Sequence, residues 1–202
     1  MLRALLLLCL MALPAEAECV TADNLAKGIS FTRQDGHKGR ITSQGGALLV
    51  EYVIDRQAWT DARVARFGIY EQHFAPWLSD DIIVGGDPPQ FDWVFSPPPP
   101  APRPGMTWHT GIWQTETDVG YGSQMVKIVS HKESGIEATF TYKAEAKAKL
   151  SGCTYRIQPV EASFKGLDST FTRRWIYFPD LGFGLETVRD GKKNGLTSLV
   201  AE

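Results

Sequence analysis

The chain has 202 residues, with 21 basic and 23 acidic side chains and a formal net charge of -2. A charge so close to zero leaves no electrostatic footprint for nucleic acid or an anionic membrane surface, so neither is expected as a partner. The length suits one domain with a substantial core, expected over residues 18–202.

Residues 1–17 have the pattern of a cleaved export signal. Arg3 gives a positive start, an apolar run covers 5–13, Pro14 ends it, and Ala15-Glu16-Ala17 offers a small-x-small cleavage site. That run is too short for a permanent bilayer helix, which takes about 20 apolar residues. The mature chain is therefore expected to start at Glu18 and to work in the periplasm, with no transmembrane segment left once the signal is removed. Cys19 raises the question of lipidation, but the acidic Glu16 and Glu18 stand where a lipidated cysteine wants small or apolar neighbours. Soluble export is the expectation. Cys9 leaves with the signal, and the remaining pair, Cys19 and Cys153, is expected to form a disulfide in an oxidising compartment. No Cys-x-x-Cys spacing supports redox chemistry, so the bridge is read as structural.

A short helix is expected near residues 21–26, capped by Thr21 or Asp23 and stopped by Gly28. Strands follow over 29–34, 40–44 and 47–55, separated by turns at Asp35-Gly36 and Gly45-Gly46. Residues 63–74 read as a strand, since Phe67, Ile69 and Glu71 alternate, although Trp59, Arg63, Phe67 and Tyr70 fit a helical face. Phe91, Trp93 and Phe95 alternate just before the proline-rich segment 96–105, which must be extended and serves as a stiff loop.

The clearest period in the chain lies at 137–150. Ala138, Phe140, Tyr142, Ala144, Ala146, Ala148 and Leu150 alternate with polar residues, the pattern of a half-buried strand. Alanine, lysine and glutamate favour helix, but a helix would scatter this alternation around its circumference. Ser151-Gly152 is a two-residue hairpin turn. The returning strand changes parity at Gln158-Pro159, which reads as a bulge. A strand at 170–178 closes at Pro179-Asp180-Leu181-Gly182. The runs 185–189 and 196–200 are expected to pair across Asp190-Gly191 and Asn194-Gly195.

Many strands, tight turns and little helix predict an all-β fold, an antiparallel curved sheet closing as a sandwich or partial barrel. The stretches Cys153-Thr154-Tyr155-Arg156-Ile157-Gln158-Pro159-Val160 and Trp175-Ile176-Tyr177-Phe178-Pro179-Asp180-Leu181-Gly182-Phe183-Gly184 loosely resemble exported β-rich proteins of Gram-negative bacteria. That resemblance covers mainly the C-terminal third and implies no activity, cofactor or site residue.

Catalytic motifs are weak. The histidines are His37, His73, His109 and His131. Glu71-Gln72-His73 puts a carboxylate and an imidazole on one strand face, but no second closely spaced ligand pair accompanies them, so no metal is expected. Ser123 follows Gly120-Tyr121-Gly122, yet Gln124 replaces the second glycine of a nucleophile elbow. Neither catalytic residues nor a cofactor are expected.

The aromatic residues point instead to binding. Phe91, Trp93 and Phe95, with Trp108 and Trp113 beyond the prolines, are the candidate ligand-binding residues, able to line an apolar cleft or stack on a sugar. Arg173, between Phe171 and Trp175, reads as a cation–π partner or a polar group in a cavity. The expected function is non-enzymatic: an apolar or glycan ligand, or a segment of an envelope protein, held on a curved sheet. One alternative is an envelope hydrolase acting on a glycan or ester through Glu71, His73, His109, Glu116 and His131. The other is a structural or assembly subunit.

Overall fold

A computed structural model describes residues 18–53, 59–78, 87–122, 125–166 and 169–202; the expected signal at 1–17, together with Ser123 and Gln124, lies outside them. The expected short helix is a single 3₁₀ turn, Ala22–Ala26, opened by Thr21, whose N–H donates to Asn24 Oδ1 at 2.7 Å. Strand makes up most of what remains. The strands are β1 (Ile29–Arg33), β2 (Lys38–Gln44), β3 (Ala47–Val53), β4 (Trp59–Arg66), β5 (Tyr70–Leu78), β6 (Asp87–Ser96) and β7 (Thr107–Gly122). They continue as β8 (Met125–Tyr142), β9 (Ala146–Leu150), β10 (Cys153–Lys165), β11 (Thr170–Phe178), β12 (Phe183–Arg189), β13 (Lys192–Lys193) and β14 (Leu196–Ala201).

The architecture is all-β, as the alternation predicts. One antiparallel sheet runs β13-β12-β11-β10-β8-β7-β6-β5-β4-β3-β2-β1-β14, with β9 paired to β10 alone. Among the described residues no ladder closes this curved sheet, yet its two edge strands are consecutive in the chain. Only Asn194 and Gly195 separate β13, on β12, from β14, on β1. The two residues bridge the seam together: Asn194 N–H donates to Thr187 O on the β12 side, and Gln34 N–H donates to Gly195 O on the β1 side. The expected pairing of 185–189 with 196–200 is therefore incorrect. The Asn194-Gly195 step does not reverse the chain onto β12; it carries the chain over to β1.

Two further boundaries differ from the pattern. The strand expected over 63–74 is a hairpin, β4 and β5, turning at Phe67-Gly68-Ile69. Phe67 takes φ 55° and Gly68 φ 66°, and a Cβ on Gly68 would lie 2.3 Å from Gly184 O. Such a close approach leaves room for glycine only. The strand expected over 137–150 is broken at residues 143–145 into β8 and β9, which pair with successive halves of β10. The register slips by one residue there, opposite the parity change at Gln158-Pro159, which is the predicted bulge. Ser151 and Gly152, at φ 51° and 84°, make the predicted tight turn.

Two apolar clusters hold the curl together. Ile29, Phe31, Ile41, Val50 and Tyr52 pack with Cys153, Tyr155, Phe178, Phe183 and Leu185. Tyr70, Phe95, Ile112, Phe140, Val160, Phe164 and Trp175 form the other. The Cys19–Cys153 disulfide forms as expected, with Cα atoms 5.7 Å apart, and brings buried Val20 onto Tyr155, whose hydroxyl accepts from Val20 N–H. The proline-rich loop joins β6 to β7 without regular structure. It is fastened to the end of β8 where Gly105 N–H donates to Tyr142 O and Tyr142 N–H to Met106 O.

Candidate functional site

Strand alternation places Phe91, Trp93 and Phe95 on one face of β6, and that face turns inward. Phe95 is buried core, whereas Phe91 and Trp93 line a cavity of about 190 Å³ with Phe74 and Gln114. Phe74 and Phe91 stack with ring centroids 5.9 Å apart, and Trp93 Nε1 donates to Gln114 Oε1 at 3.0 Å. Trp108 is not part of this wall. It packs into the core, 5.2 Å from Phe140 and 5.4 Å from Tyr70. Trp113 lies apart as well, half exposed beside its ladder partner Val94 on the outer face.

The floor of the cavity is ionic. Arg63 from β4, Glu71 from β5, Arg173 from β11 and Arg189 from β12 all line it, and Glu186 lies directly behind. Arg63 Nη1 donates to Glu71 Oε1 at 2.6 Å, and Arg173 Nη1 lies 2.7 Å from Glu71 Oε2. Glu186 receives Arg189 in a fork, Nε at 2.8 Å and Nη2 at 2.9 Å, the strongest geometry open to a carboxylate. Aromatic faces fill the remaining space. The Arg63 guanidinium sits over Tyr52 and Phe74, and that of Arg173 over Trp93, Phe164 and Phe171, each between 5.1 and 5.7 Å from the ring centroid.

Two bulges create this constellation. Residues 71 and 74 have opposite parity, as do 186 and 189, and regular strands would send one of each pair outward. On β5 one extra residue, Gln72, lies between the partners of Ala65 and Val64, so Glu71 and Phe74 both turn inward. On β12 the extra residue is Thr187, lying between the partners of Trp175 and Arg174, and Glu186 and Arg189 share the inner face. Sequence reasoning singled out Arg173 from its place between Phe171 and Trp175. Arg63, Glu186 and Arg189 were missed as members of the site because neither bulge carries a proline or glycine to mark it.

Burial pushes the Glu71 carboxyl up, but the guanidiniums of Arg173 and Arg63 more than reverse this and hold it well below the usual carboxylate range. On the other side of Arg63, burial pushes the Tyr52 hydroxyl up to about 12. Nε of Arg63 and of Arg173 are buried and have no acceptor among the described residues.

Of the remaining sequence candidates, His73 lines the same cavity as Glu71, and the others that are described lie away from it. His73 pairs with Asp92 at 2.7 Å, His109 with Thr139 at 3.0 Å and His37 with Asp35 at 2.9 Å, all in exposed positions. Glu116 stands opposite Phe91 in the β6–β7 ladder, half-buried. The side chain of His131 lies outside the described residues. No helix among the described residues is long and apolar enough to cross a membrane. No family model, curated protein or solved structure matches this chain.

Proposed function

We propose that this is an exported periplasmic protein that holds an amphipathic small ligand in the cavity between β5, β6 and β11, without turning it over. The observation that carries this reading is the meeting of the Phe74–Phe91–Trp93 wall with the Arg63–Glu71–Arg173 floor in one cavity of about 190 Å³. Pockets that bind small molecules combine apolar walls with a few fixed polar groups, and here both are in place. Supporting the compartment are the signal-like residues 1–17 and the Cys19–Cys153 bridge. A hydrolase would need ionisable groups converging on a substrate. Glu71 is instead held by two arginines, His73 at the cavity edge is paired with the exposed Asp92, and His109 pairs with Thr139 outside the cavity. The test is native mass spectrometry of the mature protein from its own envelope. The expected spectrum carries an extra mass that a folded Trp93→Ala variant loses. A bare chain in both preparations overturns the reading.

A further inference from the structure

The polar end of the cavity is unevenly satisfied. Both buried carboxylates are fully engaged: Glu71 has one arginine on each oxygen, and Glu186 takes the Arg189 fork. The arginines are not. Three guanidiniums carry far more N–H groups than two carboxylates accept. Arg173 has one carboxylate within 3 Å, Glu186 lies 3.7 Å away, and its surroundings are otherwise the rings of Trp93, Phe164 and Phe171. Arg189 keeps 42% of its side chain exposed and presents the side of its fork not turned to Glu186. Asp61 approaches only Arg63, at 3.5 Å. Glu116 lies beside Phe91, one same-face position beyond Gln114 and away from the rung of Trp93. Donors therefore outnumber acceptors at the end of the cavity where Arg173 and Arg189 share a ladder rung.

We propose that the cavity takes a small monocarboxylic acid, its carboxylate turned to Arg173 and Arg189 and its apolar body against Phe74, Phe91 and Trp93. This rests on the reading of the cavity as a ligand site and adds the chemistry of the head group. Planar guanidinium forks match a carboxylate in two parallel hydrogen bonds, and they are strongest where water is excluded. The volume sets the size of the body. A cavity of about 150 Å³ holds one benzene ring, so about 190 Å³ takes an aryl group or a short acyl chain and not a full lipid tail.

The experiment is calorimetric titration of the mature, disulfide-intact protein at pH 7 with two matched pairs, phenylacetate against phenylacetamide and hexanoate against 1-hexanol, and with palmitate. Saturable one-to-one binding of both acids is expected, with each neutral counterpart at least tenfold weaker, the scale of a charge-assisted hydrogen bond. Arg189→Lys, which keeps the charge and loses the fork, should narrow that gap. Trp93→Ala should weaken acids and neutral compounds together. Equal binding of acid and neutral partners overturns the head-group inference and leaves the amphipathic-ligand reading standing. No binding of any of them overturns both. Acid affinity unchanged in both Arg189→Lys and Trp93→Ala places the acids on some other basic surface and overturns the site. Binding of palmitate alone overturns the size.

Discussion

Glu71 carries an acid group into an interior where burial by itself favours the protonated form, and Arg173 and Arg63 reverse that preference. Its folded-state value is depressed below the ordinary 4.5, so the stability this pairing contributes is complete above that pH and drains away as the pH falls beneath it. Urea midpoints measured from pH 7 down to pH 3 should fall on the acid side. Glu71→Gln should give a flatter and lower profile. Glu71→Ala should cost about 3–5 kcal/mol at pH 7, because it strands two buried guanidiniums. The two central tryptophans separate stability from binding at this same scale. Trp108 packs on Phe140, Tyr70 and Phe95, so Trp108→Ala should cost about 3 kcal/mol in denaturant. Trp93 lines the cavity, and Trp93→Ala should abolish ligand retention with a smaller change in midpoint. Equal losses of stability in the two variants would contradict this division.

At the level of elements, sequence pattern was readable wherever residue chemistry marks geometry. Ser151-Gly152 announces its turn, Pro159 announces the parity change in β10, and the alternation of Ala138, Phe140 and Tyr142 shows which face of β8 is buried. The bulges at Gln72 and Thr187 have no such mark, and they set the site. A pattern read at strict period two sends Phe74 outward when Glu71 is taken as inward, and the ionic floor disappears from view. The disulfide belongs to this scale too. It links residues 134 apart and fixes the segment before β1 onto the start of β10. On the chain-entropy account a loop of that length contributes about 5 kcal/mol. The Cys19→Ala, Cys153→Ala double variant should therefore show a lowered urea midpoint, with a slope no smaller than that of the bridged chain. An unchanged midpoint would mean that the bridge constrains little that the sheet does not already hold.

For the whole molecule the deciding feature is how the sheet ends. A long open sheet exposes unpaired N–H and C=O groups at each edge, a template for association with other chains. Here β14 covers the β1 edge through a ladder from Ile29–Ala201 to Arg33–Leu196, while the residues just before it, Lys192 and Lys193, cap β12. Leu199 contributes a buried side chain to the cluster around Phe31, and Arg40 reaches Glu202 at 2.6 Å. The distant pairing of β1 with β14 could not be read from local pattern. Asn194-Gly195 looks like any hairpin turn until the partner of β14 is known. If this strand is what finishes the curl, a chain ending at Gly195 keeps β1 to β13 but uncovers the β1 edge and the inward faces of Ile29 and Phe31. Size-exclusion chromatography of that truncation should show dimers or larger species, and a polarity-sensitive dye should brighten on it. Adding back a peptide of residues 196–202 should reverse both effects by restoring the missing edge strand. A truncated chain that stays monomeric, dark to dye and unchanged in melting would show that the β1 edge needs no cover, and that the curl is held by its two cores alone.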